Sequence, residues 1–141
     1  MEKTKQPGIK FDNVILKQLE FSRRPEIPPK SKLDINFSAN VSVAPNGKMM
    51  TYELACQVED IMKSFKIKCS LLGFFSVEEG QENMTLDEFA ETNAPAMIFP
   101  FLREVIVSIT TKAGMPPLLL PPINIYAMLK QEKIIKKENA P

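Results

Sequence analysis

Leu33, Ile35, Phe37, Ala39, Val41 and Val43 alternate with Asp34, Asn36, Ser38, Asn40 and Ser42, the clearest period of two in the chain. Such alternation predicts a strand with one apolar and one polar face. Pro45-Asn46-Gly47 follows and predicts a hairpin turn, because Asn-Gly accepts the positive φ values that such turns need. The return strand places Tyr52, Leu54, Cys56 and Val58 on one face and Glu53, Gln57 and Glu59 on the other. A connection near Asp60–Ser64 leads to Phe65, Ile67, Cys69 and Leu71, alternating with Lys66, Lys68 and Ser70. Beyond Leu71 the alternation fails: Leu72, Phe74 and Phe75 crowd around Gly73. Upstream, Ile9, Phe11, Ile15, Leu19 and Phe21 share a parity that Val14 and Leu16 disturb. A bend, or a strand covered on both sides, is expected there, ending before Pro25, Pro28 and Pro29. Four antiparallel strands with one polar and one apolar face result.

The second half changes period. Thr85-Leu86-Asp87-Glu88 fits a capping box and predicts a short helix over Leu86–Thr92. Ile98, Phe101, Leu102, Val105, Ile106 and Ile109 then follow a helical stripe that begins near Pro95 and ends at Gly114. That helix would be roughly 28 Å long. Pro100 falls inside it and should bend it. Met97, Phe99 and Val107 lie off the stripe, so the helix is apolar beyond one face. Met115 to Pro122 holds Pro116, Pro117, Pro121 and Pro122 and reads as an extended crossover carrying Leu118, Leu119 and Leu120. Asn124 is expected to cap a last helix from Ile125 to about Lys137. Residues 1–8 and 138–141 are expected to be disordered around a single domain over 9–137. The fold class is therefore α+β, with the helices and crossover on one face of the sheet.

Composition narrows the chemistry. Histidine is absent, which removes imidazole acid–base catalysis, Ser–His and Cys–His nucleophiles and His-ligated metals. Cys56 and Cys69 match no zinc spacing and are expected as buried free thiols. The five glycines are scattered singly, so there is no phosphate loop. Net charge is +1, which steers the chain toward neither nucleic acid nor an anionic membrane. No signal-peptide pattern and no uninterrupted apolar run of membrane-spanning length occurs, so a cytoplasmic protein without membrane insertion is expected. No catalytic residue, metal site or cofactor is assigned. The acids Glu78, Glu79, Glu82, Asp87, Glu88 and Glu91 read as a solvated loop and helix start. A small ligand-binding or enzymatic domain built on those acids is the alternative. What remains unexplained is the surplus of apolar surface, which calls for a partner.

Two blocks carry a family resemblance: Ile98-Phe99-Pro100-Phe101-Leu102-Arg103-Glu104-Val105-Ile106, and Gly114-Met115-Pro116-Pro117-Leu118-Leu119-Leu120-Pro121-Pro122-Ile123-Asn124. With Gly73-Phe74-Phe75-Ser76-Val77 upstream, they resemble the bacterial export chaperone family SecB over about residues 9–130. The resemblance implies an ATP-independent holdase that binds unfolded or preprotein clients in apolar grooves. It also implies a homotetramer built as a dimer of dimers. The implied groove residues are Leu33, Ile35, Phe74, Phe75, Leu118, Leu120, Ile125, Met128 and Leu129. The implied oligomer interface is Ile98, Phe101, Leu102, Val105 and Ile109.

Export chaperones dock the motor ATPase SecA through acids on the exposed sheet face. The corresponding positions here are Gln18, Ser22 and Lys68, with Glu20 and Glu53 as the acids nearby. Lys130, Lys133, Lys136 and Lys137 stand where the family often has an acidic tail. Holding a client therefore fits better than delivering it, and a dedicated chaperone for one partner such as an antitoxin is the other form of the same activity.

Overall fold

The structure is a computed structural model that describes residues 8–80, 84–120 and 135–139. Its elements are β1 (Ile9–Arg23), β2 (Leu33–Val43), β3 (Met49–Asp60), β4 (Phe65–Val77), α1 (Leu86–Thr92), α2 (Ala94–Lys112) and β5 (Ile135–Asn139). The sheet order is β1-β4-β3-β2-β5. The first four strands pair antiparallel, as the alternation requires. The β2–β3 turn sets Gly47 at φ 71°, and Asn46 Oδ1 accepts a hydrogen bond from Lys48 N–H at 2.9 Å.

One face of the sheet is the core. Phe37, Tyr52, Leu54, Val58 and Ile67 are buried on it. Cys56 and Cys69 lie directly opposite each other on β3 and β4, both buried and free. Burial pushes the Cys69 thiol up to about 11, and pushes Cys56 up further with the neighbouring Cys69 adding to the effect. Neither is a thiolate nucleophile near neutral pH.

Strand β1 differs from the simple alternation. Register shifts at Phe11/Asn13 and Leu16/Gln18 insert residues on this strand. Each such bulge swaps the parity. Val14 and Leu16 thereby join Phe11, Leu19 and Phe21 on the core side, opposite Gly73 and Leu71, while Ile15 turns outward opposite Leu72. The grouping of Ile15 with Phe11 and Leu19 is corrected by the first bulge.

Thr85 caps α1, its Oγ1 accepting from Glu88 N–H at 3.1 Å. The α2 stripe of Ile98, Leu102 and Ile106 is fully buried against the sheet. Helix α2 has a length and composition that could cross a membrane, but this buried stripe makes it the core helix of the fold. Phe75 links the layers: it stacks on Phe11 at 4.9 Å between centroids and meets Phe89 of α1 edge-on at 5.2 Å.

The C-terminal end departs from expectation. Ile135–Asn139 is a strand parallel to Ala39–Val43 of β2, in place of the end of a helix reaching Lys137 and of a disordered tail from 138. The edge of β2 offers unpaired backbone groups, and pairing with it satisfies both strands. The rest of the expected last helix lies outside the described residues.

Candidate functional site: an apolar groove along the long helix

The site begins with the way α2 stops. Gly114 takes φ 75°, Ala113 N–H bonds to Ile109 O at 3.0 Å, and Met115 N–H returns to Thr110 O at 3.0 Å. Arg23 Nη1 donates to Ala113 O at 2.7 Å and ties this end to β1. The chain then doubles back, with Pro116 and Pro117 holding it extended. Thr110 is the anchor. Its buried Oγ1 donates to Ile106 O at 2.8 Å and accepts from Leu118 N–H at 3.0 Å.

An extended chain sends successive side chains to opposite sides. Leu118 is partly buried against the core, Leu119 is 67% exposed, and Leu120 is 1% exposed. A groove of about 310 Å³ opens between the outer side of α2 and the crossover, lined by Pro100, Arg103, Glu104, Val107, Ser108 and Leu119. Pro100 contributes a ring without an N–H, so the Ala96 carbonyl loses its helical donor. Arg103 lies over the Phe99 ring, 5.9 Å from its centroid, which leaves its apolar stem along the groove. Walls of this kind can take up apolar side chains of an extended peptide. Among the described residues no cluster of three or more His, Cys, Asp or Glu could hold a metal.

The expected groove residues separate. Leu33, Ile35 and Leu118 keep partial exposure on the core side. Phe75 and Leu120 are 1% exposed and belong to the core, so neither lines a groove. Phe74 points to the opposite face from Phe75, opposite Asn13 and Thr51, because neighbours in a strand alternate. Ile125, Met128 and Leu129 lie outside the described residues. Leu119, Val107 and Pro100 were not assigned from sequence; strict alternation outward from a buried Leu120 is the signal that finds Leu119.

The expected interface residues separate too. Ile98 and Leu102 are fully buried within the subunit and cannot serve a contact surface. Phe101 is 46% exposed, and Val105 and Ile109 are partly exposed. Phe101 meets Phe11 of β1 edge-on at 5.9 Å. Farther along β1, Leu16 and Leu19 stand 47% and 37% exposed on the same side of the sheet. These form a second apolar flank, at the sheet's β1 edge.

Gln18, Glu20, Ser22 and Lys68 are all exposed on the face away from the helices. Glu20 stands opposite Lys68 in the ladder and accepts a hydrogen bond from Gln18 Nε2. Glu53 is ion-paired with Lys17 at 2.9 Å. The face is mixed in charge, not acidic. Glu78, Glu79, Asp87, Glu88 and Glu91 are exposed, as a solvated segment should be.

With this geometry in hand, comparison with known proteins is specific. The family described as preprotein translocase subunit SecB matches residues 2–136. An uncharacterized protein of Methanocaldococcus jannaschii is 34% identical over 147 residues, covering 99% of this chain and 94% of that one. The protein-export protein SecB of Anaplasma phagocytophilum is 33% identical over 149 residues, covering 90% of this chain and 94% of that one. Among solved structures, the SecB-like chaperone of Mycobacterium tuberculosis, in complex with a peptide of the HigA1 antitoxin, superposes with a TM-score of 0.68. It is 18% identical and the match covers 82% of this chain and 88% of that one.

Proposed function

The chain belongs to the SecB family, and on that premise we propose that it is an ATP-independent holdase that captures non-native polypeptides in the cytoplasm. The observation that carries this reading is Leu119: a large apolar side chain held 67% exposed by a fixed backbone, beside an apolar groove. Leu119 does not stand alone: Pro100 and Val107 line the same groove, and a contiguous exposed apolar surface marks a site for a partner. The groove would take apolar side chains of an extended client, with Ile35 and Leu118 as flanking contacts. Leu16, Leu19, Phe101 and Val105 would be covered by other copies of the chain in a homotetramer. The domain would span residues 9–139, to the end of β5.

A second reading concerns the destination of the client. Delivery to SecA requires acids on the outer sheet face, and here Gln18, Ser22 and Lys68 occupy those positions while Glu53 is tied to Lys17. This favours a chaperone serving one partner over general delivery for export. The relative from Mycobacterium tuberculosis, which holds an antitoxin peptide, offers a precedent. Mixing the protein with a chemically denatured client, without nucleotide, should give a co-eluting complex on size exclusion. Separate elution of both would contradict the holdase. Affinity capture from the native host then distinguishes one dominant partner from many.

A further inference from the structure

At the end of the sheet where α2 finishes, one turn is fixed from several directions. Arg24 N–H donates to Ser64 O at 2.7 Å, and Ile61 N–H donates to Lys32 O at 2.9 Å. The β1–β2 connection thus crosses this end on both sides of the β3–β4 turn. Within the turn, the buried Asp60 carboxylate accepts from Ser64 N–H at 2.6 Å, from Phe65 N–H at 3.2 Å and from the Ser64 hydroxyl. Lys63 is held at φ 56°, and Lys30 nearby at φ 60°. A turn anchored by these polar bonds needs no apolar residue at its tip. Yet the tip is Ile61 and Met62, 61% and 59% exposed, with Leu33 39% exposed opposite Asp60 in the ladder.

The charge around this tip is not balanced. Arg24, Lys30, Lys32, Lys63 and Lys66 are exposed at this end, against the acids Glu26, Asp34 and Glu59 and the buried Asp60, whose charge is taken up by hydrogen bonds within its own turn. Glu59 is paired with Lys63 at 3.4 Å. Among the described residues, no carboxylate lies within ion-pair distance of Arg24, Lys30, Lys32 or Lys66. Among the described residues, the exposed acids Glu78, Glu79, Asp87, Glu88 and Glu91 stand at and beyond the opposite end of β4, where Lys48 pairs with Glu79.

We propose that Ile61, Met62 and Leu33 form a docking surface for a polypeptide segment that combines apolar side chains with carboxylates. The apolar trio anchors the segment. The surrounding cations select its acids and make the association salt-dependent. Because the turn is fixed before binding, little ordering cost opposes the contact. The surface is separate from the groove beside Leu119, and it rests on the holdase reading only in taking a polypeptide as the partner.

The test is fluorescence anisotropy with labelled short peptides of alternating Leu/Glu, Leu/Gln and Leu/Lys, using the full chain. The Leu/Glu peptide should bind about tenfold or more tightly than Leu/Lys, and more weakly at raised salt. The double variant Ile61→Ser, Met62→Ser should lose about tenfold in Leu/Glu affinity with an unchanged melting temperature. Equal affinity for the three peptides, or unchanged affinity in the double variant, overturns the proposal. So does tip-dependent binding to phosphatidylglycerol vesicles without a peptide preference, and so does a changed oligomeric mass in the double variant. Leu119→Asp separates the two readings: it should impair client holding and leave Leu/Glu affinity unchanged. A wild-type chain that binds Leu/Glu peptide at the tip but holds no denatured client defeats the holdase reading alone.

Discussion

The Ile98 side chain fills the space that a Cβ on Gly73 would need. Such a Cβ would lie 2.8 Å from Ile98 Cδ1, and 3.1 Å from both Ile98 Cγ1 and Phe75 Cε1. Glycine at 73 is therefore what lets α2 approach β4 closely enough to seal the core. Gly73→Ala should cost about 1–3 kcal/mol through overpacking. Ile98→Val removes the Cδ1 atom, so the double variant should be less destabilised than the two single losses added together. Chemical denaturation of all four proteins measures this; strict additivity would show that the contact is not the cause.

Leu119 and Leu120 are neighbours with opposite fates. Leu120→Ala opens a cavity in the core and should cost about 2–5 kcal/mol. Leu119→Asp should leave the melting temperature nearly unchanged and weaken client capture. The reverse pattern, with Leu119 controlling stability, would remove the crossover from the site.

Both leucines sit in a run that sequence marks as extended, yet sequence alone does not say which parity faces in. Thr110 decides it by accepting the Leu118 amide. The strands β2 and β3, and β4 as far as Leu71, were legible because their outer faces are mostly polar; beyond Leu71 the outer face of β4 turns apolar with Leu72 and Phe74. Strand β1 was not, because two bulges reset its parity and only the facing residues of β4 reveal them. Likewise α1 and α2 follow from a cap, a stripe and Gly114, whereas β5 is fixed by an edge of β2 far away in sequence. Phe101 and Ile98 share one helical stripe, and only the position of β1 and β4 beneath it separates the exposed residue from the buried one.

Asp60 makes stability depend on acid. Burial alone would raise its carboxyl, but hydrogen bonds from the Ser64 hydroxyl and from the Phe65 and Ser64 amides outweigh it and hold the value low. The folded carboxyl thus keeps its charge to lower pH than the unfolded one. Its contribution is fully present above the ordinary carboxylate value of about 4 and is lost as pH falls through the lower folded value. Asp60→Asn should flatten the fall in stability below about pH 4. Equal slopes in both proteins would show that Asp60 does not carry the effect. Asp60→Ala, which leaves the Ser64 and Phe65 amides without this acceptor, should cost about 1–3 kcal/mol at neutral pH.

The flank made by Leu19 and Phe101 should hold copies together. Light scattering is expected to give a wild-type mass four times the 15.9 kDa chain. Phe101→Asp with Leu19→Lys should lower that mass while α2 stays folded by circular dichroism. An unchanged assembly would place the contact elsewhere.

The central claim is that the chain holds non-native polypeptide without nucleotide, and refolding kinetics test it most directly. A denatured test client is diluted into buffer containing this protein, without ATP, and recovery of its activity is followed. The expected result is refolding slowed in proportion to added wild-type protein, with much less retardation by Leu119→Asp. Refolding at the same rate with and without the wild-type protein would contradict the holdase.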